Sequence, residues 1–153
     1  SAPTRGYFGG GSTSTHYLAE IDGIRYDTEA AINPSAALAM ARHAPGTIWS
    51  TQRGYWAGGV WTDGGYNIYT TTEIDGIAFD TEAAINPSAA LAYQRLGTTG
   101  ISSRTRGYVS GGADSGGGDI DGMQFATETA INPAAGMAVP RGSSSGACPH
   151  IAA

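Results

Sequence analysis

Apolar and polar positions alternate in the same way at three places along the chain. Ile24 and Tyr26, Ile77 and Phe79, and Met123 and Phe125 share one face, while Arg25, Ala78 and Gln124 point the other way. A period of two marks a half-buried strand, so strands are predicted over residues 20–27, 73–80 and 119–126. A shorter strand precedes each: Arg-Gly-Tyr, then an aromatic residue or valine, closed by a glycine pair ending at Gly11, Gly59 or Gly112. Asp27-Thr28-Glu29, Asp80-Thr81-Glu82 and Ala126-Thr127-Glu128 read as hairpin turns into a third short strand. That strand stops at Ile-Asn-Pro, because proline has no ladder donor. The alanine-rich stretch 34–40 opens on a proline and is too short for a helix stable alone; it reads as a connection. After each of Arg42, Arg95 and Arg141 comes a strand of small residues, such as Gly97-Thr98-Thr99-Gly100.

These elements belong to one unit present three times. Arg5-Gly6-Tyr7, Arg53-Gly54-Tyr55 and Arg106-Gly107-Tyr108 correspond, as do the Ile-Asp-Gly runs at Ile21, Ile74 and Ile120 and the Ile-Asn-Pro runs at Ile32, Ile85 and Ile131. From the first isoleucine to the second is 11 residues in every copy, and from the second to the lone arginine is 10. Only the segment after the glycine pair varies, taking 10, 15 and 8 residues to reach the next Ile-Asp-Gly. A rigid frame thus carries one variable loop per unit, and loops on rigid scaffolds are where binding concentrates.

Matching features lie 46 to 53 residues apart, the length of a four-stranded β-propeller blade. The small-residue strands suit the innermost position, where strands crowd round an axis. The expected fold is all-β: a propeller segment over 1–153, with blade units at about 1–40 (completed by 141–153), 41–93 and 94–140. The order Arg, small strand, Arg-Gly-Tyr-x-x-Gly-Gly, variable loop, Phe/Tyr-Asp-Thr-Glu resembles the kelch-type blade. The tryptophan usual after that turn is missing, with Ile32, Ile85 and Ile131 near its place. The chain is more similar still to kelch-like repeats in tail-fibre and other virion proteins of environmental tailed phages. In those, Ile-Asp-x-Ile stretches alternate with Ala-Arg-x-x-x-Gly-x-Ser-x-x-Arg-Gly-x-x-Gly-Gly, a pattern to be compared with residues 94–112. The resemblance covers nearly the whole chain. It implies a virion location and a structural or attachment role without catalysis; a secreted or cell-surface lectin binding carbohydrate is the alternative.

The sequence given opens on the second strand of a blade and closes on a first strand. The C-terminal strand is therefore expected to complete the first blade and protect its edge. Three blades fall below the usual four to eight, so two chains end to end, giving six, are expected; the alternatives are a longer propeller chain or a larger assembly.

Charge narrows the partners. The net charge is −5, and no basic cluster offers the footprint that nucleic acid or an anionic membrane requires. No apolar run is long enough to span a bilayer. The single cysteine, Cys148, precludes an intrachain disulfide framework. His16, His43 and His150 are isolated from one another, so neither a metal site nor a cofactor is expected. Asp22, Asp75 and Asp121 recur identically, which suits hydrogen bonding to turn amides rather than acid–base work, and the repeated arginines are expected to bridge blades. The variable loops break the repeat and hold the candidate binding residues: Trp61, Asp63, Tyr66, Asn67 and Tyr69 in the second loop, His16 and Tyr17 in the first. Aromatic rings beside Asp and Asn suit a host surface glycan, and Trp and Tyr equally anchor protein interfaces, whether with other virion proteins or with a second copy of this chain.

Overall fold

A computed structural model of the chain describes residues 4–64, 67–112, 118–142 and 146. The fold is all-β, with no helix among the described residues. Among the described residues thirteen strands follow one another: β1 (Arg5–Gly9), β2 (Ile21–Arg25), β3 (Ala31–Ile32), β4 (Gly46–Trp49), β5 (Arg53–Ala57), β6 (Val60–Thr62), β7 (Ile68–Thr70), β8 (Ile74–Ala78), β9 (Ala84–Ile85), β10 (Thr99–Ser102), β11 (Arg106–Ser110), β12 (Ile120–Gln124) and β13 (Thr129–Ile131). They form a three-stranded antiparallel sheet β1-β2-β3 and two four-stranded ones, β4-β5-β8-β9 and β10-β11-β12-β13, with β6 and β7 apart as a hairpin. The Ile-Asp-Gly strands run 21–25, 74–78 and 120–124, shorter than the alternation alone suggests.

Register is the same in each sheet. Gly6 faces Ile24, Gly54 faces Ile77 and Gly107 faces Met123. The glycine pair ends each second strand for a backbone reason. Gly58 and Gly59 sit at φ 69° and 106°, and a Cβ on Gly58 would stand 2.7 Å from the carbonyl oxygen of Arg95. An L side chain there meets both strain and backbone. The Asp-Thr-Glu turn does the opposite: Glu29, Glu82 and Glu128 hold φ of 55°, 55° and 52°, a left-handed conformation costly for a residue with a Cβ. The side chains of Glu82 and Glu128 have partners across the units, described below.

The stretch 34–40 pairs as extended chain, with Ala37 bridging Glu20; Ala90 bridges Glu73 and Gly136 bridges Asp119 in the same way. Proline at its start and the alternating burial of Ala36 and Leu38 outweigh its alanine content.

The apolar core lies between sheets. Ile21, Ala36 and Leu38 of the first unit pack with Trp56 and Ile77 of the second. Ile48, Tyr55, Ile74 and Leu91 of the second pack with Val109, Met123 and Phe125 of the third. The small-residue strands make the closest backbone approach: a Cβ on Gly100 of β10 would fall on the carbonyl of Thr47 in β4. Gly146 follows suit, its Cβ position 2.9 Å from the oxygen of Gly100. Most of 143–153, the segment expected to complete the first unit, lies outside the described residues; among those described, no strand pairs with the outer edge of β1.

Candidate functional site

The segment that breaks the repeat folds into structure of its own. After Gly59, β6 and β7 pair antiparallel with Trp61 opposite Tyr69. Alternation in Val60-Trp61-Thr62 and Ile68-Tyr69-Thr70 puts the two rings on one face, where they stack with centroids 4.9 Å apart and planes 28° from parallel. Such a cross-strand aromatic pair contributes about 0.5–1.5 kcal/mol beyond its buried area. Asp63 Oδ2 accepts hydrogen bonds from Asn67 Nδ2 at 3.1 Å and from the Tyr69 hydroxyl at 3.4 Å. The hairpin thus presents Trp61, Asp63, Asn67 and Tyr69 as one patch, with Ile68, 66% exposed, on its other face. Tyr66 lies outside the described residues.

The first loop comes to the same place. It closes through a Ser12–Tyr17 bridge, and Thr13 Oγ1 accepts the His16 N–H at 3.0 Å. His16 is exposed and its Nδ1 sits 2.7 Å from the Thr15 hydroxyl. Tyr17 stacks on His43 at 6.0 Å. His43 in turn exchanges both backbone hydrogen bonds with Val60, the first residue of β6. Tyr17, His43 and the root of the hairpin are therefore contiguous, and two of the three variable loops share one edge. Residues 113–117 of the third loop lie outside the described residues.

The recurring charges are committed to the frame, in a pattern that the sequence reading missed. The Arg42 side chain is fully buried and bonds the carbonyls of Gly58 at 3.1 Å and Glu73 at 3.0 Å, with Nη2 against Asp75 Oδ2. Asp75 also accepts the Ala39 N–H at 3.2 Å and, in the amide orientation that satisfies both its ends, Asn86 Nδ2 at 3.1 Å. Arg95 repeats this on Gly111 and Asp119. Its Nη2 lies 2.8 Å from Asp121 Oδ2, a charge contact whose N–H is not aimed along the line between them. Burial lowers the proton affinity of Arg42 and raises that of Asp121, the latter opposed by the nearby Arg95 charge. The side chain of each of these two arginines thus ties together its own sheet, while its backbone reaches the unit before: the Arg42 and Arg95 oxygens accept from Gly11 and Gly59, and the Arg42 N–H donates to the Leu18 carbonyl. Asp75 and Asp121 take an arginine as well as an amide.

A second clamp joins neighbouring units. Arg5 and the Tyr7 hydroxyl converge on Glu82 Oε1 at 2.5 and 3.0 Å; Arg53 and the Tyr55 hydroxyl converge on Glu128 Oε1 at 2.6 and 2.9 Å. The turn aims the Glu82 and Glu128 carboxylates at the preceding unit. Burial pushes the Tyr55 hydroxyl up to about 12. The signal for both networks was present as charges recurring once per unit, but spacing alone does not pair them.

No family model matches this chain, and no curated protein sequence does either.

Proposed function

We propose that this chain is a non-enzymatic binding module, a kelch-like β-propeller segment of a tailed-phage particle that acts as a tail-fibre, receptor-binding or surface-decorating component. Two features support the propeller reading: four-stranded antiparallel sheets recur in one strand order, and the first strands β4 and β10 meet backbone to backbone at Gly100. The observation that carries the binding role is the β6–β7 hairpin. On a frame repeated at fixed spacing, it alone among the described residues builds an extra sheet, and it displays a stacked Trp61–Tyr69 pair with Asp63 and Asn67.

The same patch favours a second reading, a multivalent lectin, because aromatic faces stack on pyranose rings while small polar groups fix hydroxyls. A lectin drawing avidity from a ring of weak sites would repeat the patch in each unit. Here the first loop offers His16 and Tyr17 instead, which favours one asymmetric attachment.

Immunogold labelling of purified particles should place the chain at fixed, symmetric positions. Trp61→Ala and Tyr69→Ala should each weaken attachment by roughly 30-fold, about 2 kcal/mol for a central aromatic anchor, with thermal stability little changed. Particles free of label would end the virion reading, and tight, Trp61-dependent binding to a glycan array would put the lectin in its place.

A further inference from the structure

The two junctions between units are built alike. At the first, Tyr7 stacks on Phe79 with centroids 5.5 Å apart; at the second, Tyr55 stacks on Phe125 at 5.7 Å. Each leading unit contributes an Arg-x-Tyr pair that grips the next unit's glutamate, Glu82 or Glu128. The arginine following that leading unit, Arg42 or Arg95, closes on the next unit's aspartate, Asp75 or Asp121.

The outer ends of the array carry the same groups unmatched. On the first unit, Tyr26 occupies the place of Phe79 and Phe125 but is 57% exposed, and Phe8 is 71% exposed where Trp56 is 4%. Asp22 and Glu29 are exposed, whereas Asp75 and Asp121 are buried. Neither Asp22 nor Glu29 has a cation beside it among the described residues. On the third unit, Arg106 is exposed and Tyr108 half-buried. Arg141 is held in the standard place, its backbone oxygen accepting from Gly112 as Arg42 accepts from Gly11. Among the described residues, however, its guanidinium bonds only the carbonyl of Val139. An open hollow beside it is lined by Tyr108, Ile120 and Met137, the counterparts of residues that bury Trp56 and Val109 at the other two junctions.

We propose that these two faces bind each other between copies of the chain, the third unit of one copy against the first unit of another. Tyr108 stacks on Tyr26 of the second copy, Arg106 and the Tyr108 hydroxyl grip its Glu29, Arg141 closes on its Asp22, and Phe8 fills the hollow. The occupant is a second copy because each face lacks the groups the other supplies, in the order already used twice within the chain. Two cations on one face meet two carboxylates on the other, which favours encounter and fixes register. The contact joins different patches, so a pair of copies forms two identical junctions if the ring closes. Resting on the propeller reading, six units then make one ring.

A charge-reversal complementation on the intact chain tests this. Wild type at micromolar concentration should sediment at twice 15.6 kDa. Glu29→Arg and Arg106→Glu each create a like-charge junction and should weaken association on the order of a hundredfold; both positions are exposed, so circular dichroism and melting of the monomer should be unchanged. A 1:1 mixture of the two variants should regain the wild-type mass, because one junction pairs the two introduced side chains with each other and the other keeps the native pair. A mixture that stays at the mass of the separate variants would overturn the pairing of Glu29 with Arg106 across copies. A wild-type monomer, as when the sockets serve other repeats of a longer chain, or a mass indifferent to both reversals, would also overturn it. Restored assemblies much larger than two copies would support the junction while refuting the six-unit ring.

Discussion

Removing the Asp75 carboxylate would leave the Arg42 guanidinium charged and buried without the carboxylate it touches, the Glu73 charge being the other that favours it. The side chain of Arg42 is fully buried and that of Asp75 is 4% exposed. Arg42 would retain the carbonyls of Gly58 and Glu73, while the Ala39 N–H and the Asn86 amide would lose an acceptor. Breaking a buried pair from one side costs about 3–5 kcal/mol, a large part of the roughly 5–15 kcal/mol that holds a domain folded. With a urea slope of about 2 kcal/mol per molar, Asp75→Ala should lower the unfolding midpoint by about 2 M. Asp22→Ala is the control: the same residue at the same repeat position, but exposed. In chains held as monomers by Glu29→Arg it should change stability by no more than about 0.5 kcal/mol. Replacing the pair together, Arg42→Met with Asp75→Leu, should recover much of the loss, since no buried charge is then stranded. Equal midpoint shifts for Asp75→Ala and Asp22→Ala, or a shift under about 0.5 M for the first, would refute the assignment of the buried pair as frame.

Two further outcomes follow from the packing. Gly100→Ala should destabilise the fold by about 3 kcal/mol or more, because its Cβ has only the Thr47 carbonyl to occupy; a melting temperature equal to wild type would mean β4 and β10 are not in backbone contact. Tyr55, raised to about 12 in the fold, keeps its proton where the unfolded chain has already lost it above pH 10. Its contribution is therefore complete below pH 10 and is lost as pH rises through about 12, up to roughly 2 kcal/mol. Tyr55→Phe should remove that part of the alkaline loss, as read from denaturant melts across this range.

Strands, turns and the repeat were legible because their causes are local. Period-two alternation around Ile77 and Phe79, glycine pairs and Pro87 state their conformations within a few residues. The constancy of the frame marked the loop after Gly59 as the place of freedom, although β6 and β7 went unread there. Their alternating residues flank Gly64 and carry a hairpin signal that the loop reading passed over. Partnership was another matter. Arg42 lies between Asp22 and Asp75, both in identical local sequence, and nothing along the chain says which aspartate it takes. The fold gives it Asp75, because the sheet it enters is the following one. The same holds for burial: Phe8 and Trp56 occupy equivalent positions with similar neighbours, yet one is exposed and the other buried. A repeated sequence determines what each unit offers; which offers are taken depends on which units stand beside it, and that is decided only when separate sheets pack.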